Sequence, residues 1–325
     1  MSAIPYATLT PDLVLDAVEA AGLRVDGRLL ALNSYENRVY QVGLDEGGFV
    51  VAKFYRPARW SDAAILEEHA FARQLAEAEI PVVAPLSLNG ATLLAHEGFR
   101  FAVFPRRGGR SPELDDGDVL QWIGRFIGRI HAIGAVEPFG ERQRLDTRSF
   151  GYAARDYLLA NDWLPPELRE QYASISQALL NECDAAFERA GALRSRRLHG
   201  DVHLGNILWT DAGPHFVDLD DACTGPAVQD LWMLLSGERA DMGLQLSELL
   251  TGYEDFCEFD RRELHLVEAL RALRLMHYAA WLARRWEDPA FPAAFPWFGA
   301  GHYWAGHIAQ LDEQVSRVAQ EPLYV

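Results

Sequence analysis

The stretch RLHGDVHLGNILW, residues 197–209, gathers four polar side chains within a mainly apolar run: His199, Asp201, His203 and Asn206. Such groups are costly to bury unless they are hydrogen-bonded or bind a ligand. Two glycines in the stretch disfavour a helix, so the polar groups are expected on a loop. We therefore expect this loop to hold a metal ion, a substrate or both.

The spacing of His199, Asp201 and Asn206 is that of the kinase catalytic loop, H-x-D-x-x-x-x-N. In that loop the Asp orients the acceptor hydroxyl and accepts its proton, and the Asn binds a magnesium ion. Asp218 lies twelve residues beyond Asn206 and would supply a second hard oxygen ligand for Mg²⁺. These residues predict phosphoryl transfer from ATP, with Asp201 as catalytic base and Asn206 and Asp218 as metal ligands.

Lys53 is the single lysine among 30 basic residues, and the others are all arginines. Arginine is a wide planar fork and lysine a compact ammonium on a flexible stem, so a lone lysine marks a place where the fork does not fit. Lys53 lies on a predicted strand, VVAKF, residues 50–54, which matches the V-A-I-K strand of kinases. We predict that Lys53 binds the α- and β-phosphates of ATP.

An acidic residue on the next helix is expected to pair with Lys53. The segment ILEEHAF, residues 65–71, offers Glu67 and Glu68. Glu68 falls in the row of positions that faces the sheet, whereas Glu67 is turned about 100° away from that row. We predict Glu68 as the partner and expect Glu67 to be a solvated carboxylate; single Gln substitutions would distinguish the two.

Extended segments dominate the first third of the chain, and helical periodicity dominates the rest. After a helix capped at Thr10, strands are predicted at 29–32, 39–44, 49–55, 92–95 and 100–104, with a helix capped at Ser61 among them. Beyond the Pro-, Gly- and charge-rich segment 104–118, helices are predicted at about 116–133, 153–160, 166–190, 226–236, 246–257, 261–286 and 302–320, interrupted by a hairpin within 198–220. The pattern predicts an α+β, two-lobed protein-kinase-like fold. A small antiparallel β lobe at 1–105 would anchor phosphate, and a larger helical lobe at 106–325 would carry the catalytic loop and the acceptor cleft.

The chain resembles the bacterial stress response kinase A family in five segments: VVAKF, ILEEHAF, FAVFPRRGGR, LHGDVHLGNILW and FVDLDDACTGPAVQDLW. Members are Ser/Thr protein kinases whose lobes are closest to those of aminoglycoside phosphotransferases and choline kinase. The resemblance covers nearly the whole chain and implies Mg²⁺ and ATP, a protein Ser or Thr as acceptor, and a cytoplasmic role in surviving envelope and oxidative stress. It implies the roles already predicted for Asp201, Asn206, Asp218, Lys53 and Glu68, and it implies that Phe104 to Arg106 form the hinge facing adenine.

Two departures from the kinase pattern bear on phosphate binding and control. No G-x-G-x-x-G precedes Lys53, so the turn NSYENR, residues 33–38, is expected to cover the triphosphate with amide and hydroxyl donors. Ser34 in that turn is predicted to contact a phosphate or to be phosphorylated itself; an ordinary polar turn is the alternative. Asp230 follows Asp218 by twelve residues without an A-P-E motif, which leaves no room for a long phosphorylatable activation loop.

The composition restricts the partners. A net charge of −17 repels a nucleic-acid backbone and suits a cationic substrate or a basic protein patch. No run approaches the roughly 18 apolar residues of a membrane span, and the first residues lack a signal-peptide pattern, so no membrane association is expected. Three scattered cysteines at 183, 223 and 257 fit a reducing compartment, and the cytoplasm is predicted. The oligomeric state is left open, with a monomer favoured.

Alternative functions remain open on the residues alone. A small-molecule kinase acting on an aminoglycoside, choline or homoserine-like alcohol would use the same ATP site, and acceptor profiling would distinguish it. A non-catalytic nucleotide-binding scaffold would need no base at Asp201. A zinc hydrolase using His199 and His203 would lack the Glu of H-E-x-x-H.

Three acidic positions and one aromatic segment lie outside the core motif. Asp230 is predicted to accept hydrogen bonds from the catalytic-loop amides, with a simple helix-terminal carboxylate as the alternative. Asp220 and Asp221 are expected to be solvated, with binding of a cation or a basic substrate as the alternative. The aromatic rings within residues 277–304 are expected mainly in the core, with some lining an acceptor cleft as the alternative.

Overall fold

The computed structural model describes residues 5–325, and their contacts divide them into two compact units. The first unit comprises the described chain up to Pro112, with Phe139–Arg142 and His203–Ala222; the second comprises Glu113–Pro138, Gln143–Val202 and Cys223–Val325. The first unit is rich in strands and the second is mainly helical. The predicted α+β class is therefore confirmed, and the functional division at residue 105 stays a prediction.

The helices and strands have the following bounds. The helices are α1 (Pro11–Ala20), α2 (Asp62–Glu77), α3 (Gly117–Gly134), α4 (Ala153–Ala160), α5 (Pro166–Ala190), α6 (Gln229–Trp232), α7 (Arg239–Tyr253), α8 (Val267–Arg284), α9 (Ala290–Ala294) and α10 (Gly301–Val318). The strands are β1 (Val25–Leu32), β2 (Arg38–Leu44), β3 (Phe49–Phe54), β4 (Leu94–His96), β5 (Phe99–Pro105), β6 (Arg196–Leu198), β7 (Ile207–Thr210), β8 (Gly213–Phe216) and β9 (Cys223–Gly225).

A five-stranded antiparallel sheet of order β1-β2-β3-β5-β4 forms the centre of the first unit. Lys53 on β3 pairs with Val39 of β2 on one side and with Ala102 of β5 on the other. Both neighbours are strands of the same sheet, so the backbone of Lys53 is held from two sides. This register positions the lysine rigidly.

The first unit has two capped helices, α1 before β1 and α2 between β3 and β4. Thr10 accepts from the backbone N–H of Leu13 and Ser61 accepts from that of Ala64, which confirms both predicted N-caps. Helix α1 buries Val14, Ala17 and Val18 in the core cluster that also contains β3 and β5 residues. Helix α2 buries Ile65, Phe71 and Leu75.

The second unit packs its helices in pairs, chiefly α3 with α7 and α5 with α10, while α8 contacts α4, α5 and α10. The predicted helices at 153–160 and 166–190 are confirmed as α4 and α5. Within the described residues, no helix combines the length and apolarity needed to cross a membrane.

Three sequence expectations for this unit differ from the structure. The helix predicted at 226–236 is only the four-residue α6, Gln229–Trp232. Helix α7 begins at Arg239 and not near residue 246, because Asp241 accepts from the Glu238 N–H at 3.1 Å and starts the helix earlier. The short strands β6 and β9 pair with each other but were not predicted. Each has three residues, too few for an alternating pattern to appear in the sequence.

Candidate active site

Lys53 is buried and pairs with two aspartates of the segment FVDLDD, residues 216–221. Its Nζ lies 2.8 Å from Asp218 Oδ1 and 3.1 Å from Asp220 Oδ1. Burial alone would lower the pKa of Lys53, but the two carboxylates raise it well above its ordinary value. The lysine is therefore a fixed positive charge beside an acidic pair.

The β7–β8 hairpin brings the two predicted metal ligands together. Asn206 ends a 3₁₀ turn directly before β7, and Asp218 follows β8 by two residues. The N–H of Val217 donates to the carbonyl of Asn206 at 3.0 Å, so the residue before Asp218 is tied to Asn206 itself. A hydrogen bond across the open end of the hairpin thus brings the backbone beside Asp218 to Asn206, although the two residues are twelve apart in sequence.

Asp218 adopts the left-handed backbone conformation, with φ 62° and ψ 68°. A non-glycine residue held there costs about 1–3 kcal/mol, and such strain concentrates at functional sites. Its carboxylate is 53% exposed although it contacts the buried Lys53. In this conformation the Asp218 carboxylate contacts Lys53 and is also accessible to solvent.

The donor set fits a magnesium ion. Asp218 supplies an accessible carboxylate and Asn206 a half-buried amide oxygen, both hard ligands of the kind Mg²⁺ prefers. Across residues 5–325, no group of three or more His, Cys, Asp or Glu side chains suits a metal ion.

Asp220 is buried, so the expectation of a solvated carboxylate was wrong for this residue. It contacts Lys53, the guanidinium of Arg59, and Asn37 Nδ2 at 3.2 Å. Burial favours its neutral form, but Arg59, Lys53 and Arg142 hold the pKa of Asp220 below its ordinary value. A strand-like alternation could not have indicated this pairing, because Asp218 is in the left-handed conformation and Leu219–Asp221 form a 3₁₀ turn.

Glu68 is buried, as its place on the inner row of α2 predicts, and pairs with Arg142 at 3.7 Å. Burial raises the pKa of Glu68 to about 7, although the nearby Lys53 opposes this. Glu68 therefore acts on Lys53 through its charge, while the direct partners of the lysine are the two aspartates. Its predicted role in phosphate anchoring stays a prediction.

Glu67 is not the solvated carboxylate that was expected. Its two carboxylate oxygens accept backbone N–H groups from Gly140, Glu141 and Arg142 at 2.5, 2.9 and 3.0 Å. Helix α2 is thus fastened to residues 139–142. The pattern of α2 could not reveal this, because the donors lie more than 70 residues further along the chain.

Arg142 was missed by the sequence analysis and connects three parts of the site. Its guanidinium donates to the carbonyls of Asp220 and Ala222 and lies 4.2 Å from the ring of Trp60. It also faces Glu68. This buried cation therefore holds the turn after Asp218 against α2.

The turn at residues 33–38 is tied to the same network. Glu36 pairs with Arg56 at 3.0 Å, and Asn37 accepts the Arg56 N–H at 3.1 Å while donating to Asp220. Ser34 is half-buried in this turn, and its predicted phosphate contact stays a prediction.

The predicted hinge lies at the end of β5. Phe104 is half-buried against Tyr55 and Ala102, and its ring meets that of His69 edge-on at 6.3 Å. Arg106 follows the strand and is exposed. Their predicted contact with adenine stays a prediction.

Asp230 anchors the catalytic loop in the second unit. Its carboxylate accepts the N–H of His199 at 2.9 Å and that of Gly200 at 2.8 Å, which confirms the predicted contact. His131 Nε2 lies 2.9 Å from the same carboxylate. The backbone directly before Asp201 is therefore fixed by a buried acid.

Asp201 itself pairs with a residue that the sequence analysis did not single out. Arg274 Nη1 on α8 lies 2.6 Å from Asp201 Oδ1, and the Asp201 side chain is 17% exposed. His199, two residues before it, is fully buried. Of the aromatic segment 277–304, Phe291, Phe298 and Trp304 are buried, in line with core packing.

The comparisons with known proteins agree with this fold. The model of the phosphotransferase enzyme family matches residues 28–267. The chain is 47% identical to stress response kinase A of Escherichia coli (strain K12) over 99% of this chain and 97% of that protein. It is 44% identical, with the same coverage, to the serine/threonine protein kinase RdoA of Salmonella typhimurium (strain LT2).

One solved structure with a similar fold is the amicoumacin kinase hAmiN in complex with AMP-PNP, Ca²⁺ and Ami. It superposes with a TM-score of 0.72 at 20% identity, covering 94% of this chain and 93% of that one. At this identity the likeness concerns the fold.

The sheet with its buried lysine and the acid-anchored loop define a phosphotransferase with a kinase-like fold. The chain belongs to the phosphotransferase enzyme family and, within it, to the group of stress response kinase A. The resemblance seen in the sequence motifs is confirmed.

Proposed function

We propose that this protein is an ATP-dependent kinase that transfers the γ-phosphoryl group to a Ser or Thr hydroxyl of a protein. The carrying observation is the triad of Lys53, Asp218 and Asp220, a fixed cation beside an accessible carboxylate. The acceptor class rests on the relatives, one of which is named a serine/threonine protein kinase and is similar along 99% of this chain. The names of the relatives also support a role in stress response.

The proposed reaction assigns one task to each residue. The acceptor oxygen forms a bond to the γ-phosphorus while the bond from this phosphorus to the bridging oxygen breaks, and its electron pair leaves with ADP. Asp201 orients the acceptor hydroxyl and takes its proton. Lys53 binds the phosphates of ATP, with Glu68, Ser34, Phe104 and Arg106 as further nucleotide contacts.

Asn206 and Asp218 would hold Mg²⁺. The ion, when bound, neutralises charge on the phosphates. Lys53 contributes a second positive charge that burial keeps in place, because its stem has little room to move.

A small-molecule kinase is the second candidate function. The similar fold of the amicoumacin kinase supports it. So does the short path from Asp218 to Asp230, which contains only a 3₁₀ turn at Leu219–Asp221 and the strand β9. This path has no room for a long activation loop that would support a bound peptide.

The test is a radiolabelled ATP–Mg²⁺ transfer assay with the wild type, Asp201→Asn and Asp211→Asn. Asp211 is an exposed acid in the β7–β8 turn and is the matched control. Acceptors are the protein alone, a basic protein and a panel of amino alcohols. We expect label on Ser or Thr of protein, reduced at least about 100-fold in Asp201→Asn and retained in Asp211→Asn.

Two results would contradict the proposal. Undiminished transfer by Asp201→Asn would remove the assigned base. Label on amino alcohols alone would keep a kinase and establish the small-molecule alternative. Label on the protein itself would make Ser34 the first site to map.

A further inference from the structure

The candidate base, Asp201, forms an ion pair with Arg274, and the acceptor hydroxyl must also approach Asp201. Arg274 Nη1 lies 2.6 Å from Asp201 Oδ1, and both residues belong to the second unit. A guanidinium has five N–H donors, and one hydrogen bond to Asp201 leaves donors for a second anion. Arg274 is thus placed to bind whatever anionic group lies beside the hydroxyl.

Arg274 is accessible. Its side chain is 47% exposed, whereas Asp201 is 17% exposed, so the arginine is the more accessible member of the ion pair. Tyr278, one turn further along α8, is also exposed. An acceptor that reaches Asp201 must therefore meet the guanidinium.

The cation at Asp201 contrasts with the acidity of the whole molecule. The net charge of −17 suggests a cationic substrate, but Asp201 is ion-paired with an arginine. A cationic acceptor, such as a quaternary amino alcohol, would have to place its charge against a guanidinium. A carboxylate or phosphate would instead form a charge-assisted hydrogen bond there.

We propose that Arg274 selects acceptors whose hydroxyl lies next to an anionic group, a carboxylate or a phosphate. This inference rests on the proposed transfer reaction and specifies its substrate class. The anion of the acceptor binds Arg274 and draws it from Asp201. The carboxylate of Asp201 is then available to take the hydroxyl proton, as the acceptor oxygen bonds to phosphorus and ADP leaves.

The experiment uses a positional peptide library around a central Ser, with Asp, phosphoserine, Asn or Lys at each flanking position. Matched small alcohols, glycerate against glycerol and choline, are assayed in parallel. The full-length variants are Arg274→Gln, Arg274→Lys and the control Arg284→Gln. Arg284 is an exposed arginine in the last turn of α8, about 15 Å further along the helix.

The expected result is a preference of about tenfold in kcat/KM for the anionic member of each pair, carried mainly by KM. Arg274→Gln should abolish the preference, Arg274→Lys should restore part of it, and Arg284→Gln should keep it. A loss of folding cannot produce this outcome, because the preference is a ratio within one variant. A comparison of the Asp peptides with the phosphoserine peptides shows whether the preferred anion is a carboxylate or a phosphate.

Several outcomes overturn the inference. Equal rates for anionic and neutral acceptors, a preference for Lys or choline, or an unchanged preference in Arg274→Gln would each do so. If only glycerate is labelled, the protein-kinase proposal fails while the inference on Arg274 stands. If peptides are labelled without regard to charge, the inference on Arg274 fails while the protein-kinase proposal stands. The absence of any transfer contradicts both proposals.

Discussion

Asp220 is the residue on which the electrostatics of the first unit converge. Two cations, Lys53 and Arg59, meet its buried carboxylate, and Arg142 binds its carbonyl. Buried charges are tolerated when they are paired and hydrogen-bonded. The acid therefore determines where Lys53 stands relative to Asp218, even if it never touches a substrate.

Asp220→Asn should destabilise the protein by about 3 kcal/mol, because removing one partner leaves buried cations uncompensated. We expect a lower midpoint of denaturant unfolding. Asp221→Asn is the control, since its carboxylate is 46% exposed although it also contacts Arg59, at 2.5 Å. We expect Asp221→Asn to lower the free energy of unfolding by less than about 1 kcal/mol. Equal losses in the two variants would contradict the central role of Asp220.

Helix α2 and the β7–β8 hairpin are the elements that assemble the surroundings of Lys53. Glu67 fastens α2 to residues 139–142, and Arg142 holds the turn after Asp218. Neither element alone surrounds Lys53, but together they enclose it. The placement of the residues around Lys53 therefore depends on contacts between these elements.

Helices α3 and α7 of the second unit approach so closely that side chains are excluded at their crossing. A Cβ atom at Gly124 would fall against the carbonyl oxygen of Leu249, a backbone atom that cannot give way. Gly124→Ala should therefore destabilise the protein by about 1–3 kcal/mol. The measurement is the free energy of unfolding in denaturant.

The control lies at the start of the same helix. At Gly117 an added Cβ would meet only the flexible side chain of Glu248, at 3.4 Å. Gly117→Ala should leave stability nearly unchanged. A fall as large as that of Gly124→Ala would show that the close approach at the crossing does not set the cost, since alanine has the higher helix propensity.

At the scale of the whole molecule, nucleotide binding should appear as stability. A ligand that binds only the folded state stabilises it by about 2.7 kcal/mol at 100 times its Kd. We expect ATP with Mg²⁺ to raise the unfolding temperature, and EDTA to remove most of the increase. In Asp218→Asn the effect of Mg²⁺ should be lost, because that carboxylate is the proposed ligand.

Asp211→Asn is again the control and should keep the full response to ATP and Mg²⁺. An identical response in Asp218→Asn would argue against the assigned metal site. A rise with ATP that EDTA does not reduce would separate nucleotide binding from metal binding.

Most elements could be predicted from the sequence, and the candidate site residues could be proposed from it. The loop spacing of Asp201 and Asn206, the lone Lys53 and the period of α5 are local properties, since backbone geometry converts short-range spacing directly into position on a strand, loop or helix. The sequence also sufficed for the family, because its motifs are contiguous segments.

The partners of these residues came from the tertiary structure alone. Lys53 pairs with an aspartate 165 positions away, Glu67 binds amides more than 70 positions away, and Arg274 reaches Asp201 across 73 positions. Periodicity assigns a side chain to a face but does not say which of several acids or cations will stand opposite it. That choice is made in the tertiary structure, because packing brings distant charged groups within hydrogen-bonding distance. Burial then strengthens the electrostatic interaction of each pair.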